Sequence, residues 1–331
     1  MMSIRIAKGE SMRASTSASI AAAALIAATS VAGCAKFGEL QAMRAFKAAN
    51  QSYAAHDYKA AASEYEEAIS KNPNLGYAYF YLANSYDNQY KPSRRGEAEN
   101  DALLTKAVEN YTIAADKLAA SGKPEDKNLA NLSLKYLVAA YGVDKLSDPA
   151  KAEPVLIKMI QLDPADPEAY FMLANVYEQA AEYDAAEKLL TLAKDAKPAD
   201  PTVYLQLAGY YNRQGQFDKT IAALEQRAEK EPTNPEAYQM IAGYYYEETN
   251  GDTRLLEAQK RDYVQKGLQA VDKAMSLKTD YAQAMTFKGL LLRQQALLEK
   301  DQAKIKDLIK EAEEWSEKAN GLVKKQAAGA Q

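Results

Sequence analysis

Few side chains in this chain could do chemistry, because it holds one cysteine and one histidine. Nucleophile–base pairs and multi-ligand metal sets draw mainly on those two residue types, so the sequence is read as non-enzymatic, with no catalytic residue, no metal site and no cofactor. Cys34 follows Val31, Ala32 and Gly33 at the end of an apolar stretch, and no second thiol competes for it. His56 sits in a short polar segment and reads as a solvated turn residue. Acidic neighbours such as Glu66 with Glu67, or Glu313 with Glu314, point about 100° apart on a helix and cannot flank one substrate bond. No strand pattern leads into a glycine-rich phosphate loop.

What the chain has in excess is tyrosine, with 23 residues, a type that offers a large apolar ring and one polar tip for packing and contact. The hydrophobic fraction of 47% is enough for a continuous core. The net charge of -4, about -6 without residues 1–33, lacks the clustered basic face that nucleic acid requires, so no nucleic-acid partner is expected.

Arg5, Lys8 and Arg13 precede an apolar, alanine-rich stretch from Ala18 to Ala32. A bilayer span needs about 20 strongly apolar residues, so this is a signal sequence rather than a transmembrane helix, and Met12 could serve as its start. Its end, Val31-Ala32-Gly33-Cys34, resembles the lipobox of bacterial lipoproteins. That resemblance implies removal of residues 1–33, a covalent lipid on Cys34 (palmitate among its acyl chains), a tether over 34–41, and stable anchoring by more than one chain. Ala35 and Lys36 stand where the enteric inner-membrane retention signal would place Asp, which points to the periplasmic face of the outer membrane.

An internal period organises the rest. Pro164, Pro198 and Pro232 lie 34 residues apart, each followed three residues later by Pro167, Pro201 and Pro235. Tyr170, Tyr204 and Tyr238 share the interval, as do Leu173, Leu207 and Ile241, then Ala174, Ala208 and Ala242, then Tyr177, Tyr211 and Tyr245. Spacings of 4, 7, 8 and 11 put one face of a first helix inward, and Ala186, Leu190 and Ala193 do the same for a second.

This pattern resembles the tetratricopeptide (TPR) family, with a bulky residue at position 4, small residues at 8 and 20, an aromatic at 11 and proline near 32. The resemblance implies an all-α solenoid, a right-handed superhelix of antiparallel helix pairs, with about six repeats over 42–280. The block from Pro201 carries Thr220 and Arg227 at the two alanine positions, which suggests a looser second helix. Extra residues between paired helices predict insertions near 91–101 and 249–262. Residues 281–320 read as a degenerate repeat with capping helices, and 321–331 as a disordered tail.

Members of that family bind partner proteins or peptides through positions 2, 5, 9 and 12 of their first helices. Here position 9 supplies Asn50, Asn84 and Asn175, position 5 supplies Phe46, Phe80 and Phe171, and position 12 supplies Tyr53, Asp87 and Glu178. An asparagine can donate to and accept from a bound backbone at once, so these nine residues form the expected partner-binding groove. The Lys/Asn/Arg carboxylate clamp of chaperone-binding members is missing, with Lys135 the sole position-5 cation. The expected role is a lipid-anchored scaffold in envelope assembly or secretion. The competing role is a periplasmic carrier of a small molecule or glycan, which would need an enclosed apolar pocket.

Overall fold

The computed structural model describes residues 37–329; the signal sequence and Cys34 lie outside them. Among the described residues there are fourteen α-helices, one short 3₁₀ turn (Pro92–Arg94) and no strand. No described helix is long and apolar enough to cross a membrane. The chain divides into two compact units that meet in sequence at Leu162 and Asp163, the boundary between the third and fourth repeats.

The first unit holds α1 (37–54), α2 (Tyr58–Lys71), α3 (Gly76–Gln89), α4 (Ala98–Ala120), α5 (Pro124–Tyr141) and α6 (Pro149–Leu162). The second holds α7 (Pro167–Gln179), α8 (Tyr183–Ala196), α9 (Pro201–Arg213), α10 (Phe217–Lys230), α11 (Pro235–Gly251), α12 (Glu257–Leu277), α13 (Ala282–Leu298) and α14 (Gln302–Gly329). Within each unit consecutive helices pack as antiparallel pairs that stack on the next pair.

The 34-residue period has a local cause. Each of the prolines 167, 201 and 235 opens a helix at its first position, where a missing N–H costs nothing, and the preceding residue caps it. Asp166, Asp200 and Asn234 accept hydrogen bonds from the backbone N–H of Glu168, Thr202 and Glu236 at 3.1, 2.9 and 3.0 Å. The tyrosine three positions on then reaches back. Tyr170, Tyr204 and Tyr238 donate their hydroxyls to the carbonyls of Pro164, Pro198 and Pro232 at 3.2, 2.7 and 3.4 Å. Proline and tyrosine thus keep step because one stitches each repeat to its predecessor.

Between paired helices the chain reverses through a left-handed residue at repeat position 15, namely His56 (φ 60°), Ala181 (φ 61°) and Gly215 (φ 66°). A Cβ is strained there, so Ala181→Gly should stabilise the protein by about 0.5–1 kcal/mol in chemical unfolding, although glycine is ordinarily the more costly residue. An unchanged or lower midpoint would contradict that account.

The small residues at positions 8 and 20 are buried as the helix pairs require: Ala174 and Ala186, Ala208 and Thr220. Thr220 is fully buried with its hydroxyl donating to the Gln216 carbonyl at 3.1 Å, and Arg227 is buried against Glu231 at 2.5 Å. The second helix of that repeat is therefore regular and well packed, because both polar substitutes satisfy themselves locally.

Three boundaries differ from the sequence reading. Residues 37–41, expected in the tether, form the first turn of α1. The insertions are part helix and part link: residues 98–101 open α4, which runs 23 residues, and 249–251 and 257–262 lie in α11 and α12, which run 17 and 21, leaving links at 90–97 and 252–256. The first link is pinned by buried Asn100, whose side chain accepts from Lys91 N–H at 2.9 Å and donates to the Lys91 and Arg94 carbonyls at 3.1 Å each. Third, 321–329 continues α14. Ala, Lys and Gln there are strong helix formers, and a helix already nucleated by docking extends at little cost. That docking is close, since a Cβ on Gly289 of α13 would lie 3.0 Å from the Ala312 carbonyl of α14.

Candidate functional site: a polar cleft on the first helices

In the first unit, α1, α3 and α5 converge on a cleft of about 350 Å³ lined by Tyr53, Tyr58, Asn84, Asp87, Asn88, Tyr136 and Lys145. Three of these, Tyr53, Asn84 and Asp87, belong to the expected groove. Around them runs a hydrogen-bond chain. Tyr53 donates to Asn84 Oδ1 at 2.5 Å, Asn88 Nδ2 donates to the same oxygen at 2.8 Å, and Asn84 Nδ2 donates to the Tyr111 hydroxyl at 3.1 Å. Lys145, from the turn after α5, pairs with Asp87 across the mouth of the cleft.

The back wall is aromatic. Tyr111 and Tyr136 stack with centroids 5.2 Å apart and planes 4° apart, and Phe80 meets Tyr136 edge-on at 5.9 Å and Tyr111 at a tilt at 6.0 Å. Burial, with smaller contributions from neighbouring phenols, pushes the Tyr53 hydroxyl above its ordinary pKa. Burial first, and then the charge on Asp87, does the same for Tyr111. Both phenols therefore stay neutral, Tyr53 donating to Asn84 and Tyr111 accepting from it, while the Asp87–Lys145 pair supplies one acceptor and one cation that a partner group could engage.

Placement of the expected residues sharpens their roles. Asn84 is 4% exposed, and three of its four hydrogen-bonding positions are filled by Tyr53, Asn88 and Tyr111. It is a structural tie, which leaves at most one N–H for a ligand. Asn50 is exposed but its Oδ1 accepts from Tyr65 at 2.7 Å. Phe80 is buried, and Phe46 is half-buried among Tyr65, Tyr77 and Tyr81, so the position-5 rings pack in the interior rather than meet a partner.

In the second unit Phe171 packs against the core, and exposed Asn175 accepts from Gln179 at 2.7 Å. Glu178 is clamped by Arg213 through two 2.8 Å bonds, which hold its carboxyl below the usual range. This set forms no cleft comparable to that around Asp87. A larger cleft of about 700 Å³ lies instead between α10 and α12, floored by Tyr238, Ile241 and Tyr245 of α11, with Glu225 and Glu229 on one wall and Lys266 and Lys273 on the other. Among the described residues no group of three or more His, Cys, Asp or Glu is placed to hold a metal ion.

Sequence reasoning missed Tyr58, Asn88, Tyr136 and Lys145, which lie outside positions 2, 5, 9 and 12. It also misread Asn84, although a signal was present. Asn50 and Asn84 each occur with a tyrosine, Tyr65 and Tyr111, at the inward position 24 of the same repeat, whereas the repeat of Asn175 has Leu190 there. An asparagine opposite a phenol is a pair within the repeat, not an open hand.

The comparisons agree with this architecture. Residues 145–210 match one tetratricopeptide repeat family model and residues 201–243 match a second. The C-terminal part of a TPR repeat-containing protein from Cytophaga hutchinsonii is similar in structure, with a TM-score of 0.53 at 14% identity over 84% of this chain and 98% of that one. A tetratricopeptide repeat protein from Parabacteroides merdae aligns with a TM-score of 0.43 at 16% identity, over 82% and 99%. No curated protein matches. The chain therefore carries tetratricopeptide repeats in an all-helical fold, a fold whose typical use is non-catalytic protein–protein scaffolding.

Proposed function

We propose that this tetratricopeptide protein is a lipid-anchored, non-enzymatic scaffold of the bacterial envelope that holds an extended segment of a partner protein in the polar cleft of its first unit. The observation that carries the partner reading is that cleft: the Asp87 carboxylate and the Lys145 ammonium sit together beside Asn84 and Asn88, with an aromatic wall behind them. Such a set suits a chain with alternating backbone donors and acceptors and one charged side chain. Both clefts described above are open to solvent, which disfavours a carrier that must enclose its cargo. The anchor rests on Cys34 and the residues before it, and it supports assignment to assembly or secretion at the outer membrane.

The test uses cross-linking in intact envelopes followed by purification of the protein. Tyr136→Ala and Lys145→Ala border the cleft without joining the Tyr53–Asn84–Tyr111 chain, and each should cut recovery of a defined cross-linked partner about tenfold, or 1.4 kcal/mol. Undiminished recovery with both variants would move the site elsewhere. Mass analysis of protein purified from membranes should find acyl chains on Cys34, and an unmodified thiol there would refute the anchor.

A further inference from the structure

The first helix breaks a rule that the last helix keeps. A stack of repeats must present a polar outer face at each end, where no neighbour covers it. At the C-terminal end α14 does so, burying Ala312 and Ala319 and exposing charged residues such as Lys310, Glu313 and Lys324. At the N-terminal end, α1 buries Ala42, Ala45 and Ala49, and its first two turns expose Phe37 (61%), Leu40 (51%) and Met43 (42%). Beside them on the exposed side stand Arg44 and Lys47, with one carboxylate, Glu39, in the first turn. One turn further the same side becomes Asn50 and Gln51, so the apolar surface is confined to the end nearest Cys34.

We infer that the first two turns of α1 lie in a membrane surface, with Phe37, Leu40 and Met43 among the outer acyl carbons and Arg44 and Lys47 on anionic headgroups. The inference deepens the lipid-anchor reading and rests on it. Three features select a bilayer over another occupant. Large apolar side chains flanked by cations are the composition of an interfacial helix, which sinks about 5–10 Å into the headgroup boundary. The cations complement anionic lipid. And Phe37 stands three residues after Cys34, so a lipid on that thiol holds the turn within about 10 Å of the acyl chains. The lipid and the helix would act as two attachment points, fixing the orientation of the first unit where a lipid alone would leave it to swivel.

The experiment places a lone tryptophan along α1 in a Trp315→Phe background of the full chain, purified from membranes and reconstituted in phosphatidylethanolamine/phosphatidylglycerol vesicles with brominated acyl chains. Phe37→Trp and Leu40→Trp should be quenched about twofold, and Gln51→Trp, about three to four turns beyond, should not. Equal, negligible quenching at all three positions in protein that Cys34 keeps in the membrane overturns the inference and leaves the anchor standing. An unmodified Cys34 thiol in that preparation refutes the anchor reading, and quenching at 37 and 40 still decides the inference. A blue shift of the position-37 emission without lipid, rising with protein concentration, would assign this face to a second copy and overturn the proposal.

Discussion

Replacing Asn84 by alanine is expected to lower the thermal midpoint of the first unit by about 10 °C, whereas Asn175→Ala, at the same repeat position, should leave the second unit within about 1–2 °C of wild type. The difference follows from satisfaction. Asn84 joins Tyr53 on α1, Asn88 on α3 and Tyr111 on α4, and its loss strands a fully buried phenol hydroxyl. A buried network broken at its hub loses about 3 kcal/mol, since each orphaned group bears its own desolvation cost. Asn175 is exposed and bonded to Gln179 on its own helix. Thermal unfolding followed by circular dichroism on both variants gives the comparison, and equal midpoints would sink the claim that Asn84 is structural. A corollary is that Asn84→Ala is a poor probe of partner binding, because it damages the cleft it would test.

Raising the pH should unfold the protein between about pH 10 and 12, with Tyr65, Tyr86, Tyr111, Tyr211 and Tyr245 resisting ionisation until the helices melt. Burial is the leading cause in each case: it pushes Tyr211 and Tyr245 up to about 12, and Tyr65, Tyr86 and Tyr111 higher still. Phenols in the unfolded chain titrate near 10. The folded values are raised, so the associated stability is fully present below about pH 10 and is lost as pH rises through the folded values. For Tyr245, which is 5% exposed, a displacement of about two pH units corresponds to about 2–3 kcal/mol, and half-exposed Tyr211 contributes less. Tyrosinate absorbance recorded beside helical ellipticity checks this. Ionisation of these five phenols should coincide with the loss of helix, and ionisation of all 23 tyrosines near pH 10 with helicity intact would contradict it.

The repeat itself was legible because the residues that set the phase act locally. Proline at a helix start, its capping Asp or Asn, and the tyrosine that reaches back to the previous proline all lie within a few positions of one another. The cleft was legible in part, as Tyr53, Asn84 and Asp87 sit on first-helix positions that face one side. Lys145 was not, because it comes from a turn after α5 whose path no periodicity describes. The position-9 asparagines misled for a related reason: a family rule fixes which side a residue faces, but not whether a tyrosine from the paired helix has already taken its hydrogen bonds. The links at 90–97 and 252–256 are shorter than the inserted stretches, since inserted residues with helical propensity lengthen the neighbouring helices.

Those lengthened helices bear on how the sequence can change. The extra residues of the second and sixth repeats enter between positions 11 and 20, after the first helix has presented its inward side chains and before the second presents its own. Growth there leaves the register of both helices intact. Gly96 (φ 95°) sits in one such link with open space around it. A reporter domain or an epitope inserted beside it would extend the molecule at the turn between paired helices while each repeat kept its contacts. The same position is where length could drift during evolution without cost to the stack.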